Sequence, residues 1–267
     1  MTRQQTKSRP MSLVRKITLL AVVAWPLAGP SQAQDSEAGR VDEQAMAVLQ
    51  GMSDYLSKET TVSFRARTFF DVVQKSGIKI KMAREVELNL KRPGHLYADT
   101  LDDAGVSASI WYDGSKLTFW RRSTNEFMAL EFAGDTNKLL DELTDKYEFE
   151  IPLADLLYSD VSKALGENII SSEYIGLRTV DGVQCHQISF ESDGADWQLW
   201  VEADSTPVPR RFVIDYVTEE NRPQFMAQLD AWSLGGELED FRFKAVVPEG
   251  VKQLEFGKAP PDGQAQQ

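Results

Sequence analysis

The stretch "GIKIKMAREVELNLKRPGHLYAD", residues 77–99, decides the fold. From Ile78 to Leu90 the even positions read Ile78, Ile80, Met82, Arg84, Val86, Leu88 and Leu90. The odd positions read Lys79, Lys81, Ala83, Glu85, Glu87 and Asn89. Alternation with period two predicts a strand over 78–90 with one dry face and one wet face. At ~3.4 Å per residue it would reach roughly 44 Å, far beyond an ordinary strand of ~5–6 residues. It runs into Arg92-Pro93-Gly94, where the chain must turn. Arg84 interrupts the dry face and calls for an acid partner, a path to the rim or a ligand headgroup.

Similar patterns lie on both sides. "TVSFRARTFFDVV", 61–73, places Val62, Phe64, Ala66, Thr68, Phe70 and Val72 on one face. Downstream come "HLYADTL", "VSASIWYDG", "KLTFWRR" and "EFMALEF", with turns at Asp113-Gly114 and Ser123-Thr124-Asn125. The second half supplies "SSEYIGLRTV", "GVQCHQISFES", "ADWQLWVEA" and "PRRFVIDYV", then strands near 224–233 and 238–245. Links this short imply an antiparallel meander, since parallel pairs need long crossovers.

Helical spacing appears twice. Val41, Ala45, Val48, Leu49, Met52, Tyr55 and Leu56 form one stripe, with Asp42 and Glu43 in the first turn. A leucine-rich block over 135–166 carries Leu139, Leu140 and Leu143. Asp135 or Thr136 caps its first helix, Pro152 suits the first turn of the second, and Asp160 caps the third. The fold class is therefore mainly β: a curved antiparallel sheet of about ten or eleven strands, with a few helices covering its apolar face.

The chain opens with basic residues Arg3, Lys7, Arg9, Arg15 and Lys16, an apolar run over 17–29 and "SQA" at 31–33. This is the pattern of a cleavable export signal, with cleavage after Ala33 and delivery to the periplasm. A single domain is expected over 34–256 and a polar tail over 257–267. Removing 1–33 takes five of the 29 basic residues and none of the 41 acidic ones, so 24 bases face 41 acids, a net −17. Such a charge repels nucleic acid and anionic membrane surfaces.

Cys185 is the sole cysteine, so no internal disulfide forms. His186 beside it would point to the opposite face of a strand, which excludes a direct Cys-His pair. GxSxG, HExxH and CxxC are absent, and the two histidines, His95 and His186, are far apart. No catalytic residue, metal ligand or cofactor site is indicated, and a hydrolase is the less favoured reading, since nothing singles out an acid pair in so acidic a chain.

Three segments resemble the family of LolA, the periplasmic lipoprotein carrier: "LKRPGHLYAD" (90–99), "YDGSKLTFWRRSTNEFMALEF" (112–132) and "FRFKAVVPEGV" (241–251). They come in the family's order behind an N-terminal helix. Residues 173–217 are similar to a wider group of predicted periplasmic proteins with no assigned function. The resemblance implies a half-barrel whose helix-covered concave face holds acyl chains. It implies a non-enzymatic carrier-like protein, with a lipid or acylated lipoprotein as partner and a monomeric state. In a second reading the same cavity serves a periplasmic sensor with a membrane-bound partner protein. The cavity would be lined by the dry-face residues Phe64, Phe70, Ile78, Ile80, Met82, Val86, Leu88 and Leu90, and by Leu139 and Leu143 from the cover. Arg92 matches the family arginine that hydrogen-bonds lid backbone and latches the cover.

Overall fold

The computed structural model describes residues 39–257 apart from 150 and 152. The export segment with its cleavage point after Ala33, Pro152 and the tail beyond 257 lie outside the described residues.

Among the described residues twelve strands form one curved, unclosed sheet. They are β1 (Thr61–Val73), β2 (Lys79–Lys91), β3 (His95–Asp102), β4 (Ser107–Tyr112), β5 (Lys116–Arg121), β6 (Glu126–Glu131), β7 (Ile169–Val180), β8 (Val183–Ser192), β9 (Asp196–Glu202), β10 (Pro209–Asp215), β11 (Gln224–Leu234) and β12 (Lys252–Leu254). The order across the sheet is β12-β6-β5-β4-β3-β2-β1-β11-β10-β9-β8-β7. The long β1–β2 hairpin is thus the hinge between two meanders. Three α-helices, α1 (Glu43–Ser57), α2 (Thr136–Tyr147) and α3 (Val161–Gly166), accompany a 3-10 helix at Ala154–Leu157.

Each α-helix begins on an aspartate. Asp42 accepts from the amides of Gln44 and Ala45, Asp135 from Lys138 and Asp160 from Lys163. A carboxylate there satisfies orphan N–H groups and suits the helix dipole. Ser53 of α1 accepts the buried amide of Ser162 at 2.9 Å, which ties α1 to the start of α3.

The dry face of β2 is dry only in its second half. Val86, Leu88 and Leu90 are buried in one cluster with Leu49, Met52 and Leu56 of α1 and Leu139 and Leu143 of α2. Ile78 lies in the turn before β2 and is 64% exposed, and Ile80 is 46% exposed. The reason is pairing. β1 meets β11 only as far as Phe70, and β2 meets β3 only from Arg84 onward. Residues 71–82 therefore outrun the sheet on both sides.

The expected curved, mainly antiparallel sheet is present, with twelve strands among the described residues; the short β12 lies parallel to β6, with Lys252 opposite Glu126. One further expectation is corrected. Residues 238–245 do not form a strand, and Asp240–Phe243 is instead a 3-10 helix. β11 already has β1 on one edge and β10 on the other, so the following segment has no free edge beside it. It leaves instead across residues of the wet face. Lys91 pairs with Asp240 at 2.6 Å, Arg242 pairs with Glu87, and Phe243 is buried against His95.

Candidate functional site

A cavity of about 1090 Å³ lies between the sheet and the helical block that runs from α2 to α3. Phe70 of β1, Trp197 of β9, Phe212 and Ile214 of β10 and Phe225 of β11 line its sheet side. Ile151, Leu153 and Leu165 line its helical side. The lining also carries Asp141, Asp155, Asp160 and Glu167, with Lys163 and Arg84. Apolar side chains from the sheet thus share the lining with polar and charged ones from the helical block, the mixture expected where an apolar ligand is held and oriented.

The aromatic floor follows from strand alternation. Trp197 stacks on Phe190 with centroids 4.0 Å apart and meets Phe212 edge-on at 6.0 Å. Phe225 stands opposite Phe70 across β11 and β1. These rings hold one another in place, so the floor is preformed.

Arg84 stands at the cavity's edge with its guanidinium 5.1 Å from the Phe70 ring centroid. Burial lowers its pKa, and the charge of Asp102, its neighbour in the β2–β3 register, opposes that shift. The arginine stays charged, since its starting value is so high. Tyr158 donates its hydroxyl to Asp141 at 2.9 Å. Burial, then this hydrogen bond, push its pKa up, so it remains a neutral donor.

Arg92 reaches the cover from the β2–β3 turn, where the Arg92–Pro93 bond is cis. Its Nη1 donates to the carbonyl of Leu157 at 3.1 Å and its Nη2 to that of Tyr158 at 3.2 Å. Both acceptors are carbonyls at the end of the 3-10 helix, groups that such an end leaves unpaired. Burial lowers the Arg92 pKa.

The sequence-derived lining divides three ways. Phe70 and Arg84 border the cavity. Phe64, Val86, Leu88, Leu90, Leu139 and Leu143 are buried inside closed core, because helical side chains fill the space above them. Met82 is half-buried, and Ile78 and Ile80 face outward on the overhang. The residues missed belong to β9–β11 and to the links between helices. Their signal is present in the alternations Trp197-Leu199-Val201 and Phe225-Ala227-Leu229. Cys185 is buried and its thiol pKa is raised, chiefly by burial and then by Glu202, so it is a poor nucleophile. His186 is held by Tyr174, whose hydroxyl lies 2.8 Å from Nδ1.

The sequence matches the model of a family described as predicted periplasmic proteins, DUF2092, over residues 45–257. No curated protein matches it. Among solved structures it is similar to the lipoprotein LppX of Mycobacterium tuberculosis, at 14% identity and a TM-score of 0.44 over 72% of this chain and 96% of that one. It is also similar to LprF of Mycobacterium bovis, at 12% identity and a TM-score of 0.45 over 80% and 100%. A LolA superfamily protein of Nitrosomonas europaea gives 9% identity and a TM-score of 0.34 over 75% and 97%.

Proposed function

The chain belongs to the DUF2092 family of predicted periplasmic proteins, and from that premise we propose that it is a non-enzymatic binding protein for a lipid or acyl chain. It is exported by removal of residues 1–33 and holds its ligand between the sheet and the helical cover. The observation that carries this reading is the cavity of about 1090 Å³ with its floor of Phe70, Trp197, Phe212, Ile214 and Phe225. Burying a CH₂ contributes ~0.8 kcal/mol, so a chain of about a dozen carbons gains roughly 10 kcal/mol before the costs of ordering and association. Arg92 acts in this reading as the latch that keeps the 3-10 helix over the cavity.

The test is binding of a fluorescent fatty-acid probe to the exported protein, with native mass spectrometry to detect a co-purifying lipid. Phe225→Asp places a charge on the dry floor and is expected to weaken the probe at least about tenfold. Probe binding that is absent in the wild type, or equal in a folded Phe225→Asp variant, rejects the reading.

A further inference from the structure

Residues 71–82, the overhang of β1–β2, do not line the cavity, yet they are ordered to the tip. Residues 71–82 extend past the last rungs that β1 and β2 share with their neighbours. The hairpin stays paired to its end, with Val72 opposite Ile80 and Val73 opposite Lys79. The turn is closed by hydrogen bonds from Gln74 to the Ile78 carbonyl at 2.9 Å and from Gly77 to the Gln74 carbonyl at 2.8 Å. Lys79 donates to the Arg222 carbonyl in the β10–β11 loop at 3.2 Å, which braces the tip. An ordered, braced projection that exposes two isoleucines is not a fraying end.

Its position and composition point the same way. Phe70 and Arg84 stand at the root of the overhang, and both border the cavity. Met82 pairs with Phe70 and Ile80 with Val72, so the apolar face of the overhang continues the cavity floor outward. At its end stands Ile78, the more exposed isoleucine. The same segment carries Lys75, Lys79 and Lys81 against one acid, Asp71, which pairs with Lys79 and Lys81 and leaves Lys75 exposed beside the turn. Lysine stems lie along apolar surface while their ammonium groups reach phosphates. Apolar side chains flanked by lysines are the composition of a surface that enters the interface of an anionic bilayer.

We propose that the tip of the β1–β2 hairpin docks on an anionic phospholipid bilayer and sets the cavity mouth against it. Ile78 and Ile80 enter the headgroup boundary and the exposed Lys75 faces lipid phosphates, while Lys79 and Lys81 stay paired with Asp71. The net negative charge of the rest of the chain keeps the contact brief and confined to the tip. This docking rests on the hairpin alone and stands whether or not the cavity holds an acyl chain.

The experiment is flotation of the exported protein with vesicles of phosphatidylethanolamine and phosphatidylglycerol, beside vesicles of phosphatidylcholine alone. Wild-type protein is expected to float with the anionic vesicles, less with the neutral ones, and to be released by salt. Ile78→Asp with Ile80→Asp should cut flotation about tenfold or more, and Lys75→Glu should cut it on anionic vesicles only. Both isoleucines are exposed, so the melting temperature of the double variant should match the wild type. Fatty-acid probe binding in solution, measured on the same samples, reports the cavity separately. Flotation with no probe binding would reject the carrier reading and leave the docking intact. Absence of wild-type flotation on both vesicles, or equal flotation of the folded double variant, overturns the proposal and leaves a protein partner for the tip.

Discussion

Arg92 and Tyr158 are joined by a hydrogen bond from the guanidinium Nη2 to the main-chain carbonyl at 3.2 Å, across 66 residues of sequence. A second bond runs from Nη1 to Leu157. The turn after β2 therefore holds the helical segment whose side chains, Tyr158 among them, border the cavity. A charged hydrogen bond contributes ~1.5–3 kcal/mol. Arg92→Leu removes two of them and leaves the strands untouched. Amide exchange is expected to quicken about tenfold or more in residues 153–165 while β2 around Leu88 keeps its protection. Unchanged exchange in that segment would show that the cover is held by apolar packing alone.

Leu88 and Ile80 occupy the same face of one strand and should respond in opposite ways. Leu88 is fully buried and Ile80 is 46% exposed. Leu88→Ala is expected to cost ~2–5 kcal/mol, because it opens a cavity in closed core. Ile80→Ala should change stability by less than about 0.5 kcal/mol. Denaturant unfolding of the two variants decides it. Similar losses would mean that the overhang is buried in solution.

That pair also shows what the sequence could and could not reveal. Alternation marks Ile80 and Leu88 identically, since it reports only which side of a strand a residue takes. Whether that side is covered depends on where β3 and β11 stop pairing, which is set some 15 to 150 residues away. The segment 238–245 failed for the same reason. Phe241 and Phe243 share a parity suited to a strand, but both edges of β11 are taken, so Phe243 is buried on the wet face and Phe241 is left 73% exposed. The caps Asp135 and Asp160 were legible because a cap is a local device, whereas Asp42, read as a first-turn residue, is itself the cap of α1. Of the five floor residues the alternation in β1 marks only Phe70, while Trp197, Phe212, Ile214 and Phe225 needed the knowledge that β9 to β11 lie on the same side of the hairpin as the open space.

Ser53 provides a test of how the cover is anchored. Its hydroxyl oxygen accepts the Ser162 amide at 2.9 Å in a buried setting. Ser53→Ala leaves that amide without its acceptor, which costs ~1–3 kcal/mol. In a chain of this size the melting temperature should fall by roughly 2–4 °C per kcal/mol. Protection should be lost first in α3. A variant that melts with the wild type would mean that water replaces the hydroxyl.

Asp71, at the root of the overhang, makes stability depend on pH. Its side chain is 6% exposed and lies 2.8 Å from Lys81 Nζ and 3.5 Å from Lys79 Nζ. It also accepts the Gln224 amide at 2.9 Å. Burial alone would raise its pKa, but the Lys81 hydrogen bond, the Gln224 amide and the two lysine charges outweigh burial and hold the carboxyl below its usual range. A depressed folded-state pKa means that the unfolded chain binds the proton more readily. The contribution is complete above the unfolded carboxylate value of ~3.9 and is lost as pH falls through the lower folded value. Asp71→Asn should therefore destabilise by about 1–2 kcal/mol at neutral pH, the lysines being partly exposed. The difference from wild type should stay flat from about pH 7 to pH 5 and shrink below about pH 4. Unfolding free energies of both proteins across that range test the sign. A difference that grows as pH falls would mean that Asp71 is protonated more easily folded than unfolded, and would remove the lysine pair as its stabiliser.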